Sequence, residues 1–191
     1  MRQQKELAPV IEPKDVVIGD PAAPITITEF GDYESEACAK AAGVVNSLLE
    51  KYAGKVNFVF RHFPLTRIHQ RAHKAAEAAI AAAQEGKFFE MHQALFDNRR
   101  NLGVISLKSY AKEIGVTNKR FLDDLINGTY GWNVQGDLME GIHKGVTNVP
   151  AFFLNEERFE QEPTLERLSA RIDSLLKGKV SGSKTSKKLR A

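Results

Sequence analysis

Two different hydrophobic periods alternate along the first third of the chain. From Ile25 to Phe30 apolar and polar residues alternate and most are β-branched or aromatic, which predicts a strand. From Ser35 onward apolar residues recur at helical spacing and predict a helix with one buried face, made by Ala41, Val44, Val45, Leu48, Leu49 and Tyr52. Gly54 ends this helix, and an apolar run over 56–60 predicts a second strand. Two strands joined by such a helix predict a parallel, right-handed βαβ unit.

Helical patterns then follow one another from residue 68 to residue 145. Ser106 and Thr117 are good N-caps and predict the starts of two of these helices. A later helix is predicted to bury an apolar stripe formed by Trp132, Leu138, Met139 and Ile142. A strand over 151–154, a turn and a returning strand come next, and Pro163 opens a last helix. The order βαβ, helical block, ββα predicts an α/β protein.

The two ends of the chain differ from this ordered part. Residues 1–24 contain four prolines and are predicted to form an extended N-terminal arm, with 16–18 as a candidate edge strand. Residues 178–191 contain five basic residues and no acidic one, and are predicted to be a disordered tail. Without that tail, 22 basic residues stand against 24 acidic ones, although the whole chain has a net charge of +3. The ordered part is therefore slightly acidic, and no nucleic-acid partner is predicted.

The length and composition predict one domain with a full core. The chain has 191 residues, of which 42% are hydrophobic, and no apolar run is long enough to span a membrane. Its first residues are charged and lack the apolar segment of a secretory signal. If Met1 is the native start, the sequence predicts a cytoplasmic protein. The pattern carries no signal for the oligomeric state.

The only cysteine, Cys38, is predicted to be the third residue of a helix that begins just after a strand. Free N–H groups and the dipole at a helix N-terminus favour a thiolate, and can lower a cysteine pKa to roughly 3.5–7.5. Ser35 lies three residues earlier, where a Cys-x-x-Cys redox motif has its first sulfur. Ser35 is predicted to face outward and Cys38 to face the sheet. The alternative is that Cys38 is simply a small buried apolar residue.

Three stretches together resemble the DsbA-like family of the thioredoxin superfamily, over roughly residues 24–176. They are Phe30-Gly31-Asp32-Tyr33 with the four residues that follow, Arg61-His62-Phe63-Pro64-Leu65 with His69 and the alanine-rich helix up to Phe89, and Gly145 to Leu154. The resemblance implies a thioredoxin fold, with a central mixed sheet, over a domain at 25–177. It also implies an all-helical subdomain inserted at about 67–145 and a cis peptide bond before Pro150.

The resemblance also implies where a substrate would bind. An extended peptide or thiol substrate would lie in the groove beside Pro150 and meet the backbone of Val149. The two residues inside the motif, Glu36 and Ala37, are predicted to line the same site. Glu29 matches the family's acidic residue beneath the second sulfur, where it serves proton transfer, unless it is an ordinary strand carboxylate.

Ser35 is where the chain departs from the family pattern, which has cysteine at both ends of the motif. Thiol–disulfide exchange needs an attacking thiolate and a second thiol that resolves the mixed disulfide, and this chain has one sulfur of the pair. The sequence therefore predicts a protein of the thiol-disulfide oxidoreductase family that is inactive as a dithiol enzyme and binds a peptide or partner. Ser35, Cys38 and Glu29 are the residues predicted to carry any remaining chemistry.

Two alternatives remain open for that chemistry. The first is a glutathione-dependent transferase or isomerase, because kappa-class glutathione transferases resemble DsbA and use a serine at the position of Ser35 to bind the glutathione thiolate. The second is a monothiol enzyme in which Cys38 reacts with peroxide or glutathione. Apart from glutathione in these alternatives, no cofactor is predicted. His69, His73 and Glu77 follow a spacing that places them on one helix face, but no further ligand is apparent and no metal is predicted.

Overall fold

A single mixed sheet forms the centre of the protein. The computed structural model describes the backbone of residues 10–186 and the side chains of residues 10–178. The strands lie in the order β1-β3-β2-β4-β5. Their bounds are β1 Ile18–Gly19, β2 Ile25–Gly31, β3 Val56–His62, β4 Ala151–Leu154 and β5 Glu157–Phe159. β2 pairs with β3 in parallel and the other neighbours are antiparallel. The predicted α/β thioredoxin fold with a central mixed sheet is confirmed.

The parallel pair is joined by α1, Glu36–Lys51, which completes the predicted βαβ unit. Ser35 has extended backbone angles, and its Oγ accepts a hydrogen bond from the backbone N–H of Cys38 at 3.3 Å. This bond satisfies one of the N–H groups that a helix leaves unpaired at its start. The first turn of α1 is therefore set by its own sequence.

The inserted helical region lies between β3 and β4 in the chain. Its helices are α2 Ala72–Ala83, α3 Phe88–Asp97, α4 Val104–Glu113, α5 Phe121–Asn127 and α6 Gly131–His143. The last element of the described chain is α7, Leu165–Ser186, which follows β5. The insertion predicted from the pattern is present, within the predicted bounds of about 67–145.

The predicted starts of two inserted helices are wrong. α4 begins after Gly103, and Ser106 lies inside its first turn, where its hydroxyl donates to Asn101 at 2.9 Å. α5 begins after Arg120 rather than Thr117. Both the N–H and the hydroxyl of Thr117 donate to the Glu85 carboxylate, at 2.8 and 2.6 Å. A tertiary partner has taken the side chain that would otherwise cap the helix.

The predicted buried stripe of α6 is wrong for three of its four residues, and only Leu138 is partly buried against the core. Trp132 is 86% exposed, and Met139 and Ile142 are about half exposed. The buried face is formed by Val134, Asp137 and Gly141. A Cβ on Gly141 would lie 2.6 Å from the Phe63 ring and 3.0 Å from the Phe30 ring, so only glycine allows this close approach of the helix.

The first and last segments of the described chain differ from their predicted structure. In the predicted arm, Pro13–Asp15 forms a short 3-10 helix. An edge strand pairs with β3, but it is β1 at Ile18–Gly19 and shares only Ile18 with the predicted 16–18. α7 continues to Ser186, beyond the predicted domain end at residue 177. The prediction that residues 178–191 are disordered is wrong for 178–186, which are helical in α7. Residues 1–9 and 187–191 lie outside the described residues. Within the described part, no helix combines the length and apolar character needed to cross a membrane.

Candidate functional site

Ser35 and Cys38 lie at the start of α1, but neither is open to solvent. Cys38 is fully buried, as predicted, and its Sγ accepts a hydrogen bond from the Asp32 N–H at 3.5 Å. Ser35 is only 8% exposed, so the prediction that it faces outward is wrong. Its Oγ is directed to the Cys38 N–H instead, because capping the helix turns the hydroxyl inward. Glu36 and Ala37, the two residues between them, are exposed.

Burial decides the protonation of Cys38. Desolvation is the main cause that raises the pKa of the thiol well above its usual value. The hydrogen bonds from Ser35 and from the Asp32 N–H lower it, but by less. The expectation that the helix N-terminus would produce a thiolate is therefore wrong, because the loss of water around a buried sulfur outweighs a few oriented N–H groups. Cys38 is a neutral thiol at neutral pH.

Glu29 lies on β2 beneath the first turn of α1 and is fully buried. Neither of its carboxyl oxygens has a hydrogen-bond partner among the described residues. Burial raises the pKa of Glu29 well above its usual value, so the side chain is held neutral. Glu29 and Cys38 are thus brought together as two neutral groups, and a role of Glu29 in proton transfer stays a prediction.

Asp32 connects the motif to the rest of the site, and sequence reasoning did not identify it. Its buried carboxylate accepts hydrogen bonds from the N–H of Glu34 at 2.7 Å and the N–H of Leu65 at 2.8 Å. The same carboxylate lies 2.8 Å from Nδ1 of His69. Asp32 therefore ties the loop before α1 to the loop after β3. The turn-forming character of Asp32 was visible in the sequence, but two of its three partners, Leu65 and His69, lie more than 30 positions away.

The sequence raised a candidate metal site at His69, His73 and Glu77. The contact with Asp32 separates His69 from the other two. His69 faces Asp32, whereas His73 lies 3.5 Å from Glu77 on α2. The Glu77 carboxylate also pairs with Lys74 at 2.8 Å. Within the described part of the chain no three His, Cys, Asp or Glu side chains are grouped so that they could hold a metal ion.

A buried cluster of aromatic and imidazole rings lies beside Glu29, and the sequence pattern did not predict it. Tyr33 and His92 are joined by a hydrogen bond of 3.1 Å between the hydroxyl and Nδ1. His62 packs against the rings of Tyr33 and Phe60, and neither of its ring nitrogens has a partner in the described part. Burial lowers the pKa of both His62 and His92 to about 3. Both imidazoles are therefore neutral.

We expect His62→Leu to stabilise the protein increasingly as the pH falls. The pKa of His62 is about 3 in the folded protein and about 6.5 in the unfolded chain. Between pH 3 and pH 6.5 the folded state therefore binds fewer protons than the unfolded state. The stability that neutral His62 contributes is complete above pH 6.5 and is lost as the pH falls toward 3. The difference in the free energy of unfolding should grow by about 1.4 kcal/mol per pH unit, or about 2 kcal/mol from pH 6.5 to 5.

Urea unfolding of both proteins at pH 7.5, 6.5, 6 and 5 measures this difference. The value at pH 7.5 is the control, because it contains the change in packing without any protonation of the histidine. A difference that is the same at all four pH values would contradict the assignment of a neutral, unpartnered His62.

The loop before β4 carries the second half of the predicted site. The Val149–Pro150 peptide bond is cis. The Val149 side chain is buried and Pro150 is half-buried. The N–H of Val149 donates to Oδ1 of the neighbouring Asn148 at 2.9 Å. Among the described residues no hydrogen bond joins this loop to Ser35 or Cys38.

The chain is similar to known proteins in both sequence and fold. A family model described as thioredoxin matches residues 12–174. The crystal structure of oxidised BdbD from Bacillus subtilis is 21% identical and has a TM-score of 0.78, over 87% of this chain and 93% of that one. The structure of alpha-DsbA1 from Wolbachia pipientis is 24% identical with a TM-score of 0.74, over 87% and 92%. At these identities the likeness shows the fold alone.

The curated relatives are longer proteins. The Na(+)/H(+) antiporter NhaA 3 of Salinispora tropica is 35% identical over 168 residues, which are 88% of this chain and 26% of that protein. The Na(+)/H(+) antiporter NhaA 1 of Mycobacterium sp. strain KMS is 34% identical over 152 residues, or 78% and 25%. The chain spans about a quarter of the length of these relatives. Because the thioredoxin model matches most of its length, the chain belongs to the thioredoxin family, and its fold is the one seen in the BdbD and alpha-DsbA1 structures.

Proposed function

We propose that this protein is a binding domain that has lost dithiol exchange and holds an extended peptide segment of a partner beside the Val149–Pro150 bond. The observation that carries the proposal is the state of the motif. Its one sulfur is fully buried with a raised pKa, and the position of the attacking sulfur is a serine whose oxygen is used as a helix cap. Thiol–disulfide exchange needs an exposed attacking thiolate and a second thiol that resolves the mixed disulfide. Ser35 has no thiol, and Cys38 is not an exposed thiolate.

The loop before β4 supports the binding half of the proposal. The strand that follows it is paired on both edges, with β2 and with β5, so a peptide could add main-chain hydrogen bonds only at the loop itself. The N–H of Val149 is the donor such a peptide would meet, and Asn148 Oδ1 occupies it in the unbound chain. We infer that the Asn148 side chain must rotate away when a peptide binds.

The curated relatives suggest the class of partner. They are named as Na(+)/H(+) antiporters, and the chain matches about a quarter of their length. A domain joined to a transporter in one chain works at high effective concentration beside it. We therefore propose an extended segment of a membrane transport protein as the partner. The cytoplasmic location expected from the N-terminal sequence stays a prediction.

The test uses isolated, S-alkylated insulin B chain as an extended peptide without a reactive thiol. Titrated into the 15N-labelled protein, it should shift the amide signals of Asn148, Val149 and Ala37 saturably. Asn148→Ala should tighten binding by about threefold or more, because the competing hydrogen bond to the Val149 N–H is gone. Asn46→Ala is the matched control, since it removes an asparagine that bonds only to Gln93 on the far side of α1.

Two results would contradict the proposal. One is turnover of insulin disulfides by the unaltered protein above the background given by Cys38→Ala. The other is a set of peptide-induced shifts that leaves Asn148 and Val149 unmoved, or that Asn148→Ala and Asn46→Ala change equally.

Glutathione-dependent transfer is the second function that a specific observation favours. Ser35 Oγ accepts from the Cys38 N–H at the positive end of α1, and its own hydrogen, now directed to the Cys38 sulfur, would turn to a glutathione thiolate when one binds. Titration with glutathione should then shift the Ser35 amide. Binding should be lost in both Ser35→Ala and Ser35→Asp, although aspartate keeps the helix cap. The monothiol alternative gains no support from the burial of Cys38, and it would require rapid labelling of that thiol in the native state.

A further inference from the structure

A cavity of about 200 Å³ lies on the face of the sheet opposite α1. Thr26, Thr28 and Phe30 of β2 point to this face, because side chains alternate along a strand and Glu29 points to α1. α6 and the 3-10 helix at Pro13–Asp15 cover it from above. The site is therefore separate from the motif and from the Val149–Pro150 loop, and it does not depend on the proposed function.

Arg61 brings a buried positive charge to the cavity. The residue is 7% exposed, and its Nε lies 2.6 Å from Asp137 while its Nη2 lies 2.5 Å from Glu140. The guanidinium lies over the Phe30 ring, 5.8 Å from its centroid. Its remaining nitrogen, Nη1, has no hydrogen-bond partner among the described residues. The two ion pairs hold the guanidinium in place, so that Nη1 is a fixed donor at the cavity.

The other uncommitted polar groups of the cavity are donors as well. Lys14 has no ion pair with any described residue, and its side chain is exposed at the rim. The hydroxyls of Thr26 and Thr28 have no hydrogen-bond partner within residues 10–178. Thr26 and Thr28 place two hydroxyl groups on a covered face of the sheet. Apolar side chains would pack there without the cost of covering a polar group.

The acidic groups at the rim are already matched to cations. Glu140 pairs with Arg61, and Glu156, from the turn between β4 and β5, pairs with Lys144. Lys144 also lies 5.6 Å from the centroid of the Phe153 ring. The formal charges at the cavity balance, since Arg61, Lys144 and Lys14 stand against Asp137, Glu140 and Glu156. Lys14 is the cation without an ion pair among the described residues, and Arg61 contributes an uncommitted N–H edge as a donor rather than a spare charge.

We propose that this cavity binds a small organic carboxylate, whose anionic oxygens meet Arg61 Nη1, Lys14 and the two threonine hydroxyls. Val59, Phe30 and Phe153 form the apolar wall that would receive a short hydrocarbon chain. The volume is below the roughly 300–1,000 Å³ of pockets that hold drug-sized ligands, so the ligand is a small acid. Arg–carboxylate contacts in such a site are short and directional, which favours a carboxylate over a spherical anion.

Titration of the 15N-labelled protein with sodium butyrate at pH 7.5 tests the proposal. Butyrate should shift the amide signals of Thr26, Thr28 and Phe153 saturably in the millimolar range. 1-Butanol, which has the same hydrocarbon chain without the charge, should not saturate the site in that range. Equal binding of butanol would mean that the cavity takes up apolar chains only, and it would overturn the proposal.

Two substitutions leave the buried ion pairs of Arg61 intact. Lys14→Gln removes the exposed charge and Thr28→Val removes a hydroxyl at constant shape, and each should weaken butyrate binding about fivefold. Lys108→Gln is the matched control, because Lys108 is an exposed lysine on α4 without an ion pair among the described residues. Butyrate shifts that are absent, or that Lys14→Gln and Lys108→Gln change equally, would overturn the assignment.

Discussion

Replacing Ser35 with cysteine is expected to give a protein that closes a disulfide to Cys38 and reduces insulin, whereas the unaltered chain does neither. Ser35 Oγ lies 3.3 Å from the backbone nitrogen of Cys38, so a sulfur in its place would stand over the same first turn as Cys38 Sγ. The new thiol would occupy the N-cap, where the helix dipole lowers a thiol pKa. A dithiol pair then supplies the two electrons of the exchange, and Cys38 resolves the mixed disulfide.

The reduction potential and the rate of insulin turnover measure the effect. With dithiothreitol present to reduce the variant's disulfide after each cycle, we expect turnover to rise from background to a rate that scales with the concentration of the variant. The matched control is Ser35→Cys combined with Cys38→Ala, which has the new thiol but no resolving partner and should form mixed disulfides without turnover. A folded Ser35→Cys protein that cannot close the disulfide would show that the first turn has departed from redox geometry, and it would contradict descent from a dithiol enzyme.

Asp32→Ala is expected to lower the free energy of unfolding by about 3–4 kcal/mol. The substitution removes three hydrogen bonds of a buried carboxylate, to Glu34 N–H, Leu65 N–H and His69 Nδ1. It also leaves these donors without their acceptor in a site where water has little access. Because Asp32 joins the loop before α1 to the loop after β3, the loss should spread to the position of the motif.

Asp20→Ala is the control for this substitution. Asp20 is exposed and its carboxylate accepts one hydrogen bond, from the Ala22 N–H at 2.8 Å, so the loss should be about 1 kcal/mol or less. Asp32→Asn keeps one carbonyl acceptor and should fall between the two. Urea unfolding at pH 7.5 measures all three, and an Asp32→Ala protein no less stable than Asp20→Ala would contradict the role of Asp32 as the link between the loops.

The sequence determined those features that depend on neighbours along the chain. The alternation over β2, the N-cap at Ser35 and the run of β3 are local patterns, and the structure contains the βαβ unit that they predict. The same is true of the number and order of the inserted helices, although the starts of α4 and α5 were not predicted correctly. The lack of a second sulfur is likewise a fact of the sequence, and it limits the chemistry before any fold is known.

Only the tertiary structure decided the properties that depend on what lies across the core. The helix start favours a thiolate at Cys38, but the packing around the sulfur excludes water and raises its pKa, and the distant partners set that packing. Trp132 follows the helical period, yet the close seat of Gly141 against the Phe30 and Phe63 rings turns the helix so that Trp132 faces solvent. The bond from Asp32 to His69 and the free edge of Arg61 arise in the same way. Each joins groups far apart in sequence, and their energies depend on burial and on the distance between atoms, which a one-dimensional pattern does not contain.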